Sequence, residues 1–442
     1  MKHLKNKASV LLAAMLVLTL LLSACSTAAS ETAENAGSVS VDLLSADSGS
    51  AVSAALSGSS QSGTVSEAGS QTDSYLEAFS SRDLSGDYDA SDAVSISLGG
   101  SSASASSEAV QISGSTVTIT AAGTYILSGT LENGSVIVNA TKDDKVQLVL
   151  DGASIHSKSY AAIYVVQADK VFVTLAEDTV NYLSNGGSFV QLDDNDVDGV
   201  VFAKDDITLN GSGTLVVTSP AGHGIVGKDE VTITGGSYEI SAAKCAIRGK
   251  DSIAVSDGIF TIKAGTDGLH AENNDDDTLG SIYIAGGSFS ITAADDGIHA
   301  NTLLQIDGGK MSISAAEGLE ATYIQVNGGD ISISASDDGV NAAQKSSACR
   351  ATFEMNDGTL TVVMGAGDTD GIDSNGNIIV NGGTINVTGQ SSFDCDGTAQ
   401  YNGGTIIVNG QQVDSIPNQM MGGGMGGFGG MGGGMGGGGR RR

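Results

Sequence analysis

The chain lacks several residue types that define other classes of protein. Its 442 residues include no tryptophan, 2 prolines and 4 cysteines, and 20 lysines and arginines stand against 51 aspartates and glutamates. The net charge of −31 argues against nucleic acid and anionic membrane surfaces as partners and favours divalent cations. Because aromatic residues make up only 4% of the chain, few side chains are available to stack flat on sugar rings.

The first segment has the pattern of an export signal. Three lysines within residues 1–7 precede an apolar run over residues 10–22, which is too short to span a membrane. The run ends in LSAC at residues 22–25, which resembles the lipobox of bacterial lipoproteins. We therefore expect residues 1–25 to be a signal peptide, Cys25 to carry lipid, and the protein to be anchored at the extracellular face of the bacterial cell membrane. The alternative is an ordinary signal peptide with a chance cysteine.

The remaining cysteines do not form the pattern of a disulfide framework. Cys245, Cys349 and Cys395 are odd in number and scattered along the chain. Cys245 and Cys395 occupy repeat positions, which favours small buried thiols at those two places.

Composition divides the mature chain into three segments. Residues 26–80 are rich in Ser, Ala and Gly and have few large apolar groups, which predicts a flexible tether. Residues 81–415 carry regular β-strand patterns and form the expected folded domain. Residues 416–442 are a Met/Gly-rich tail that we expect to be disordered.

A repeat of 21 to 22 residues dominates the folded segment and is plainest from residue 231. In the unit IYIAGGSFSITAADDGIHA, residues 282–300, two alternating apolar patterns end at glycine corners and a third follows. Period-two alternation predicts strands with one buried face, and we expect Gly-Gly and Asp-Gly to supply residues with positive φ. Two longer units carry insertions at 273–280 and 343–350.

Rungs of three short strands cannot bury an apolar face alone, but stacked rungs share one core. The sequence therefore predicts an all-β fold, a right-handed single-stranded parallel β-helix of 21–22 residues per rung. Hairpin signals for an antiparallel sandwich, leucine-rich repeats and the longer repeats of propeller blades are not found.

The corner before the third strand carries acids in successive units, so stacking brings carboxylates to about 5 Å from one another. Such a row is costly unless a cation lies among the charges, and Ca²⁺ suits carboxylate, amide and carbonyl oxygens. Turn-capping aspartates are the simpler alternative. The predicted Ca²⁺ ligands are Asp267, Glu272, Asp275, Asp295, Asp296, Glu317, Glu320, Asp337, Asp338, Asn341, Asp370 and Asp373.

A basic strip and two histidines lie beside these acids in the repeat. Lys204-Asp205, Lys228-Asp229 and Lys250-Asp251 recur at equivalent places, either as a Lys-Asp ladder or, with Arg248, as a cationic strip for sugar carboxylates. His270 and His299 share one repeat position. A metal-binding histidine pair is one interpretation and exposed surface histidines are the simpler one; we include both residues as ligand-binding candidates.

Several consecutive motifs carry a resemblance to a known family. These are SRDLSGDYDASDAVSISL, GTYILSGTLENGSVIVNA, KDDITLNGSGTLVVTSPAGHGIVGKDEVTITGGS and the DGLHA and DDGIHA units. The chain, over about residues 80–415, resembles a family of bacterial surface lipoproteins described as carbohydrate-binding. The resemblance implies a right-handed parallel β-helix with bound calcium, related in fold to polysaccharide lyases, that binds cellulose and acidic plant polysaccharides such as polygalacturonate.

The resemblance also implies that Asp267, Asp295, Asp296, Asp337 and Asp338 are metal ligands. Two rungs depart from the pattern. Glu317 replaces the aspartate in one rung, and Cys245-Ala246 stands where other rungs have Asp-Gly, so that rung is expected to lack a ligand.

The favoured function is therefore a calcium-loaded polysaccharide-binding lipoprotein, with membrane contact only through Cys25. A Ca²⁺-dependent polysaccharide lyase is the first alternative, but no catalytic base can be singled out from the sequence. A structural or adhesive surface stalk is the second.

Overall fold

The computed structural model describes residues 78–366 and 369–417, which form an all-β structure. No helix in this part of the chain is long and apolar enough to cross a membrane. The expected signal peptide, Cys25, nearly all of the tether and the tail from residue 418 lie outside the described residues.

The described strands, in chain order, are β1 (Val94–Gly100), β2 (Ala103–Ala105), β3 (Val110–Ser113), β4 (Thr116–Ile119), β5 (Gly123–Leu131), β6 (Ser135–Asn139), β7 (Lys145–Ser157), β8 (Ile163–Gln167), β9 (Lys170–Leu175), β10 (Val180–Asn185), β11 (Gly199–Ala203), β12 (Asp206–Gly211), β13 (Thr214–Ser219), β14 (His223–Gly227), β15 (Glu230–Ile233), β16 (Ser237–Ala242), β17 (Ile247–Gly249), β18 (Ser252–Val255), β19 (Ile259–Ala264), β20 (Leu269–Ala271), β21 (Ser281–Ile284), β22 (Ser288–Ala293), β23 (Asp296–Ala300), β24 (Leu303–Ile306), β25 (Lys310–Ala315), β26 (Glu317–Ala321), β27 (Tyr323–Val326), β28 (Asp330–Ala335), β29 (Val340–Ala342), β30 (Thr352–Met355), β31 (Thr359–Met364), β32 (Asp370–Ser374), β33 (Asn377–Val380), β34 (Thr384–Thr388), β35 (Ser391–Cys395), β36 (Ala399–Tyr401), β37 (Thr405–Val408) and β38 (Gln411–Val413).

The strands stack in a solenoid-like parallel arrangement. From β8 to β34 each strand pairs in parallel with the strand three positions later, as β16 does with β19 and β17 with β20. Two of the three strand series belong to a 25-stranded sheet, and the third forms a 13-stranded sheet that runs from β3 to β35. The prediction of three short strands per repeat is confirmed, and the insertions form the loops between β20 and β21 and between β29 and β30.

The inward positions of the repeat form one continuous apolar core. Tyr238, Phe260 and Phe289 lie in register on β16, β19 and β22, and their rings stack with centroids 5.1 and 4.5 Å apart. On the 13-stranded sheet the apolar residues at one repeat position are fully buried, as expected of strands with one buried face: Ile225, Ile247, Leu269, Ile298, Leu319, Val340 and Ile372. Alternation of buried and exposed residues along β16, β19 and β22 explains the period-two pattern there.

The two kinds of glycine corner have different physical causes. The second glycine of Gly-Gly has positive φ, with 102° at Gly287 and 96° at Gly309, as predicted. The expectation of positive φ is wrong for the Asp-Gly corners before the third strand, such as Asp296-Gly297, although it holds at Asp257-Gly258 and Asp357-Gly358. A Cβ on Gly297 would lie 2.6 Å from the Gly318 carbonyl oxygen, and one on Gly318 would lie 2.4 Å from that of Gly339, so close approach of the next rung requires glycine there.

The segment before β1 lies across the outer face of the 25-stranded sheet. Asp83, which is 2% exposed, forms an ion pair with Lys170 at 2.8 Å and accepts a hydrogen bond from Thr208. The Phe79 ring lies 5.8 Å from the Tyr283 ring on β21. This segment therefore crosses several rungs of one sheet, and the charged residues considered below lie on the other.

Candidate functional site

One outward-facing column of the 13-stranded sheet changes from basic to acidic along its length. Register pairs align its members on successive strands: Arg248, His270, His299, Glu320, Asn341, Asp373 and Asp394. We call this set the outward column. Its six strand spacings of about 4.8 Å give it a length of about 29 Å.

A second row lies at the corner that precedes the same strands. We call it the corner column; its members are Cys245, Asp267, Asp296, Glu317, Asp338 and Asp370. Asp267 Oδ1 accepts a hydrogen bond from the Asp296 amide at 3.2 Å, and Asp338 Oδ1 accepts one from the Asp370 amide at 2.9 Å. These carboxylates therefore cap the amide of the following rung, in addition to any role toward a cation.

His299 is the centre of a buried charge network. Its Nδ1 lies 2.7 Å from Asp296 Oδ2 and 2.7 Å from Glu320 Oε2, and Lys345 Nζ lies 2.8 Å from Glu320 Oε1. Burial disfavours the protonated form of His299, but the contacts with Asp296 and Glu320 outweigh this effect and raise the pKa of His299 to about 9. Burial likewise opposes ionisation of Glu320, but hydrogen bonds from His299 and Lys345 lower its pKa to about 2. Two cations thus balance two carboxylates within this network.

Further along the stack, Glu317, Asp338 and Asp373 form no salt bridge within the described residues. Burial and the charge of Glu320 raise the pKa of Glu317 to about 8. Burial together with neighbouring aspartates raises the pKa of Asp338 to about 6 and that of Asp373 to about 7. We call the set Glu317, Asp338, Asp370, Asp373 and Asp394 the acid file. The raised pKa values of Glu317, Asp338 and Asp373 follow from burial and, next, from the like charges stacked beside them.

Asn341 lies within this row and has an unused oxygen. Its Nδ2 donates a hydrogen bond to Glu317 Oε2 at 3.0 Å, whereas its buried Oδ1 has no hydrogen-bond partner among the described residues. An oxygen ligand set for a hard cation is therefore present here: carboxylates plus one amide oxygen.

At the start of the corner column, Cys245, Asp267 and His270 come together. Cys245 Sγ lies 3.4 Å from Asp267 Oδ2, and His270 Nδ1 lies 2.7 Å from the same oxygen. The sulfur, nitrogen and oxygen atoms all lie within 4.8 Å of one another. The sequence prediction gave this rung no ligand, because it considered only oxygen donors at the corner.

The basic residues meet in a cleft of about 410 Å³, lined among others by Lys228, Arg248, Lys250, Glu272 and Asp275. Lys250 Nζ is bound by Asp275 Oδ2 at 2.5 Å, and Lys228 Nζ lies 5.4 Å from the centre of the Phe202 ring. Arg248 forms no ion pair within the described residues. Among the described residues of this cleft, Arg248 and Lys228 are therefore the cations that have no carboxylate partner and can meet an incoming anion.

The predicted Lys-Asp ladder does not form within the described residues, since Lys228 and Lys250 have the partners named above rather than Asp229 and Asp251. The expectation of exposed histidines is also wrong. The side chains of His270 and His299 are only 13% and 11% exposed, because Glu272 and Glu320 lie against them.

The predicted Ca²⁺ ligands divide into three groups. Asp267, Glu272, Asp296 and Glu320 lie beside the histidines, and Glu317, Asp338, Asn341, Asp370 and Asp373 belong to the acid file or lie within it. Asp295 and Asp337, the first members of their Asp-Asp pairs, are exposed, and Asp275 pairs with Lys250. Sequence reasoning missed Lys345, although the insertion that carries it was recognised.

Comparisons with known proteins place this surface in a family. The protein is of the class in which a long stack of parallel strands presents charged columns on one sheet. The model of the carbohydrate-binding domain-containing protein family matches residues 113–369 and 319–415, and the chain belongs to that family. The description of that family names carbohydrate binding.

One relative and one solved structure are similar to the chain. A carbohydrate-binding domain-containing protein of Acetivibrio thermocellus is 34% identical over 137 residues, which are 30% of this chain and 48% of that protein. The chain thus spans about half the length of this curated relative. A solved structure described as the polysaccharide lyase-like protein from C. thermocellum, a gadolinium derivative, has 30% identity, covers 54% of this chain and 94% of its own, and gives a TM-score of 0.47.

Proposed function

We propose that the protein binds an acidic polysaccharide, such as polygalacturonate, through Ca²⁺ held by the acid file. The observation that carries the proposal is the stacking of three half-buried carboxyls, Glu317, Asp338 and Asp373, on successive rungs; their burial and mutual repulsion raise the pKa of each. A divalent cation would relieve their repulsion. The buried Asn341 Oδ1, which has no hydrogen-bond partner among the described residues, would then coordinate the cation. Ca²⁺ bound at a partly open row would keep coordination positions for sugar carboxylates.

The cationic cleft supplies a second contact for the same polymer. Arg248 belongs to the outward column, so a chain laid along that column meets the guanidinium at one end and the acid file at the other. Arginine can bind a carboxylate with two parallel hydrogen bonds, which fixes the orientation of the bound group. An acidic polymer therefore suits this surface better than cellulose, which has no carboxylate and would depend on aromatic stacking that the chain supplies poorly.

The finer architecture and location belong to the same proposal. Parallel strands that recur every third element favour a right-handed parallel β-helix, because crossovers between parallel strands are almost always right-handed. Lipidation at Cys25 would hold this β-helix at the extracellular face of the membrane, with residues 26–77 as the spacer. The polymer-binding sheet would then face the cell's surroundings.

Affinity electrophoresis through gels that contain polygalacturonate tests the proposal. We expect retardation with Ca²⁺, its loss in EDTA, and weaker retardation in gels that contain a neutral polysaccharide. The double variant Asp338→Asn/Asp373→Asn should lose the calcium-dependent part, whereas Asp151→Asn, an exposed acid on β7, should not. Equal mobility of all three proteins with and without Ca²⁺ would refute calcium bridging.

A lyase is the second candidate, on the strength of Lys228. Burial and the neighbouring Arg248 and Lys250 lower the pKa of this half-buried lysine, so its neutral amine is more accessible as a base. In such a β-elimination the amine would take the proton next to the sugar carboxylate while the glycosidic oxygen leaves and a C=C bond forms. However, Lys228 follows β14 and Glu317 begins β26, which is four strand spacings or about 19 Å, so base and acid file cannot act on one sugar.

Absorbance of the unsaturated uronate product decides between the binder and the lyase. The third candidate, a stalk that calcium only stiffens, predicts a calcium-dependent melting temperature without any retention by the polymer.

A further inference from the structure

We infer that Cys245, Asp267 and His270 form a site for a transition metal of the Zn²⁺ type, distinct in chemistry from the acid file. The three residues come from consecutive rungs: Cys245 stands at the corner before β17, and Asp267 and His270 lie at and after the corner before β20. Their ligand atoms lie within 4.8 Å of one another, and Cys245 and Asp267 are each 5% exposed.

The donor set is the reason for the choice of metal. Zn²⁺ takes thiolate, imidazole and carboxylate ligands at about 2.0–2.3 Å in a tetrahedral arrangement, so its ligands lie about 3.5 Å apart. Cys245 Sγ and Asp267 Oδ2 are 3.4 Å apart. Ca²⁺, which selects oxygen ligands in larger number, is disfavoured by the sulfur and nitrogen.

His270 is oriented as a metal ligand through Nδ1. That nitrogen is buried, lies 2.7 Å from Asp267 Oδ2, and has no assigned hydrogen-bond partner among the described residues. The other ring nitrogen, Nε2, lies 3.4 Å from Glu272 Oε2. A carboxylate behind the second nitrogen is the arrangement that commonly orients metal-bound histidine and strengthens its donation.

Comparison with the next rung shows why the metal belongs at Cys245 rather than at His299. Around His299, the cation position is already taken by Lys345, 2.8 Å from Glu320. Within the described residues no lysine or arginine forms an ion pair with Asp267. The Cys245 rung therefore has the ligands without a built-in cation, while the His299 rung has the cation.

Cobalt substitution of the protein in a Cys25→Ser background, which removes the N-terminal thiol, tests the inference. One equivalent of Co²⁺ should produce the near-ultraviolet band of thiolate-to-metal charge transfer, and Zn²⁺ but not excess Ca²⁺ should abolish it. Cys245→Ser should remove the band, whereas Cys349→Ser, a matched change at the partly buried thiol in the 343–350 insertion, should retain it. A band that survives Cys245→Ser, or no band in the parent protein, would overturn the site.

Two further variants keep the test decisive if Cys245→Ser does not fold. His270→Gln should abolish the rise in melting temperature that Zn²⁺ produces, and Glu272→Gln should weaken Zn²⁺ affinity about tenfold by loss of the orienting carboxylate. Unchanged affinity in both variants would assign any bound Zn²⁺ elsewhere. None of these measurements involves polysaccharide, so their outcome is independent of the proposed function.

Discussion

The imidazole ring of His270 stacks on the ring of His299, with centroids 4.6 Å apart and planes inclined by 29°. The two residues are neighbours in the outward column, yet they lie in different surroundings. His270 faces a thiol, Asp267 and Glu272, whereas His299 is enclosed by Asp296, Glu320 and, through Glu320, Lys345. Because contacts in a solenoid are confined to adjacent rungs, substitutions at each rung should have separable effects.

Neutralising one acid of the acid file should stabilise the metal-free protein. Asp373→Asn removes a charge that is repelled by Asp338 and Asp394, so the melting temperature in EDTA should rise by a few degrees. The same variant should lose most of the stabilisation that Ca²⁺ provides. Thermal denaturation with EDTA and with Ca²⁺ measures both effects.

Asp151→Asn, which removes an equal charge from an exposed position, is the control and should change neither value. A lower melting temperature of Asp373→Asn in EDTA would contradict the assignment of repulsion to this row.

The stability of the metal-free protein should fall as pH rises from about 4 to about 8. In the unfolded chain these carboxyls lose their protons near 3.8 or 4.5, whereas in the folded protein Glu317, Asp338 and Asp373 keep them to about 8, 6 and 7. The folded state therefore binds more protons in this window, and stability declines as they are released. His299, with a pKa raised to about 9, contributes in the same direction above pH 6.5.

Urea denaturation at pH 5 and pH 8 in EDTA measures this slope. Saturating Ca²⁺ should flatten it, and Asp338→Asn/Asp373→Asn should flatten it without calcium. Stability that is equal at both pH values in the metal-free parent would be inconsistent with the raised pKa values.

His299→Gln should destabilise the fold by about 3 kcal/mol, because it leaves Asp296 and Glu320 buried with only Lys345 as a counter-charge. Urea denaturation at pH 7 gives the free energy of unfolding. His156→Gln, at a half-buried histidine that contacts Ser184 Oγ, is the matched control and should cost about 0.5 kcal/mol. Equal losses in the two variants would mean that the His299 network is not a special source of stability.

Arg248→Gln should weaken polygalacturonate binding about tenfold, because a charge-assisted hydrogen bond contributes about 1.5 kcal/mol or more. Affinity electrophoresis at several polymer concentrations gives the dissociation constants. Arg248→Lys should recover part of the loss, since it keeps the charge without the planar pair of donors. Lys263→Gln on β19, an exposed lysine of the other sheet, should bind like the parent; an equal loss there would point to net charge rather than to the cleft.

Phe260→Ala should cost about 3–5 kcal/mol, because the ring is 1% exposed and stacks between Tyr238 and Phe289. Ile259→Ala changes the adjacent side chain, which is 60% exposed, and should have little effect. Hydrogen exchange should show faster exchange on β16, β19 and β22 in the first variant and the parent pattern at β34 and β37. Uniform loosening of the whole stack would argue against local contacts.

Much of the architecture follows from the sequence because the alternation of apolar and polar residues that determines it is a local pattern. Alternation of apolar and polar residues sends Phe260 and Ile262 to one side of a strand and Thr261 to the other, whatever the rest of the chain does. Repetition of that rule at a constant period then aligns like positions, as with Phe260 and Phe289, and the predicted inner columns and strand triplets are confirmed. The local rule was wrong at the Asp-Gly corners before the third strand, where the glycine is required by the neighbouring rung rather than by its own φ.

The pairing of charges could not be read in the same way, because it depends on the path of loops whose length breaks the period. Lys345 reaches Glu320 from the insertion after β29, and Asp275 reaches Lys250 from the insertion after β20. Within the described residues, these contacts leave Arg248 without an ion pair, place Lys345 in the His299 network, and leave Glu317, Asp338 and Asp373 without a salt bridge. The sequence by itself determined which residues share a column; only the tertiary structure decided which of those charges have partners, since a partner across rungs is chosen by three-dimensional proximity and not by spacing along the chain.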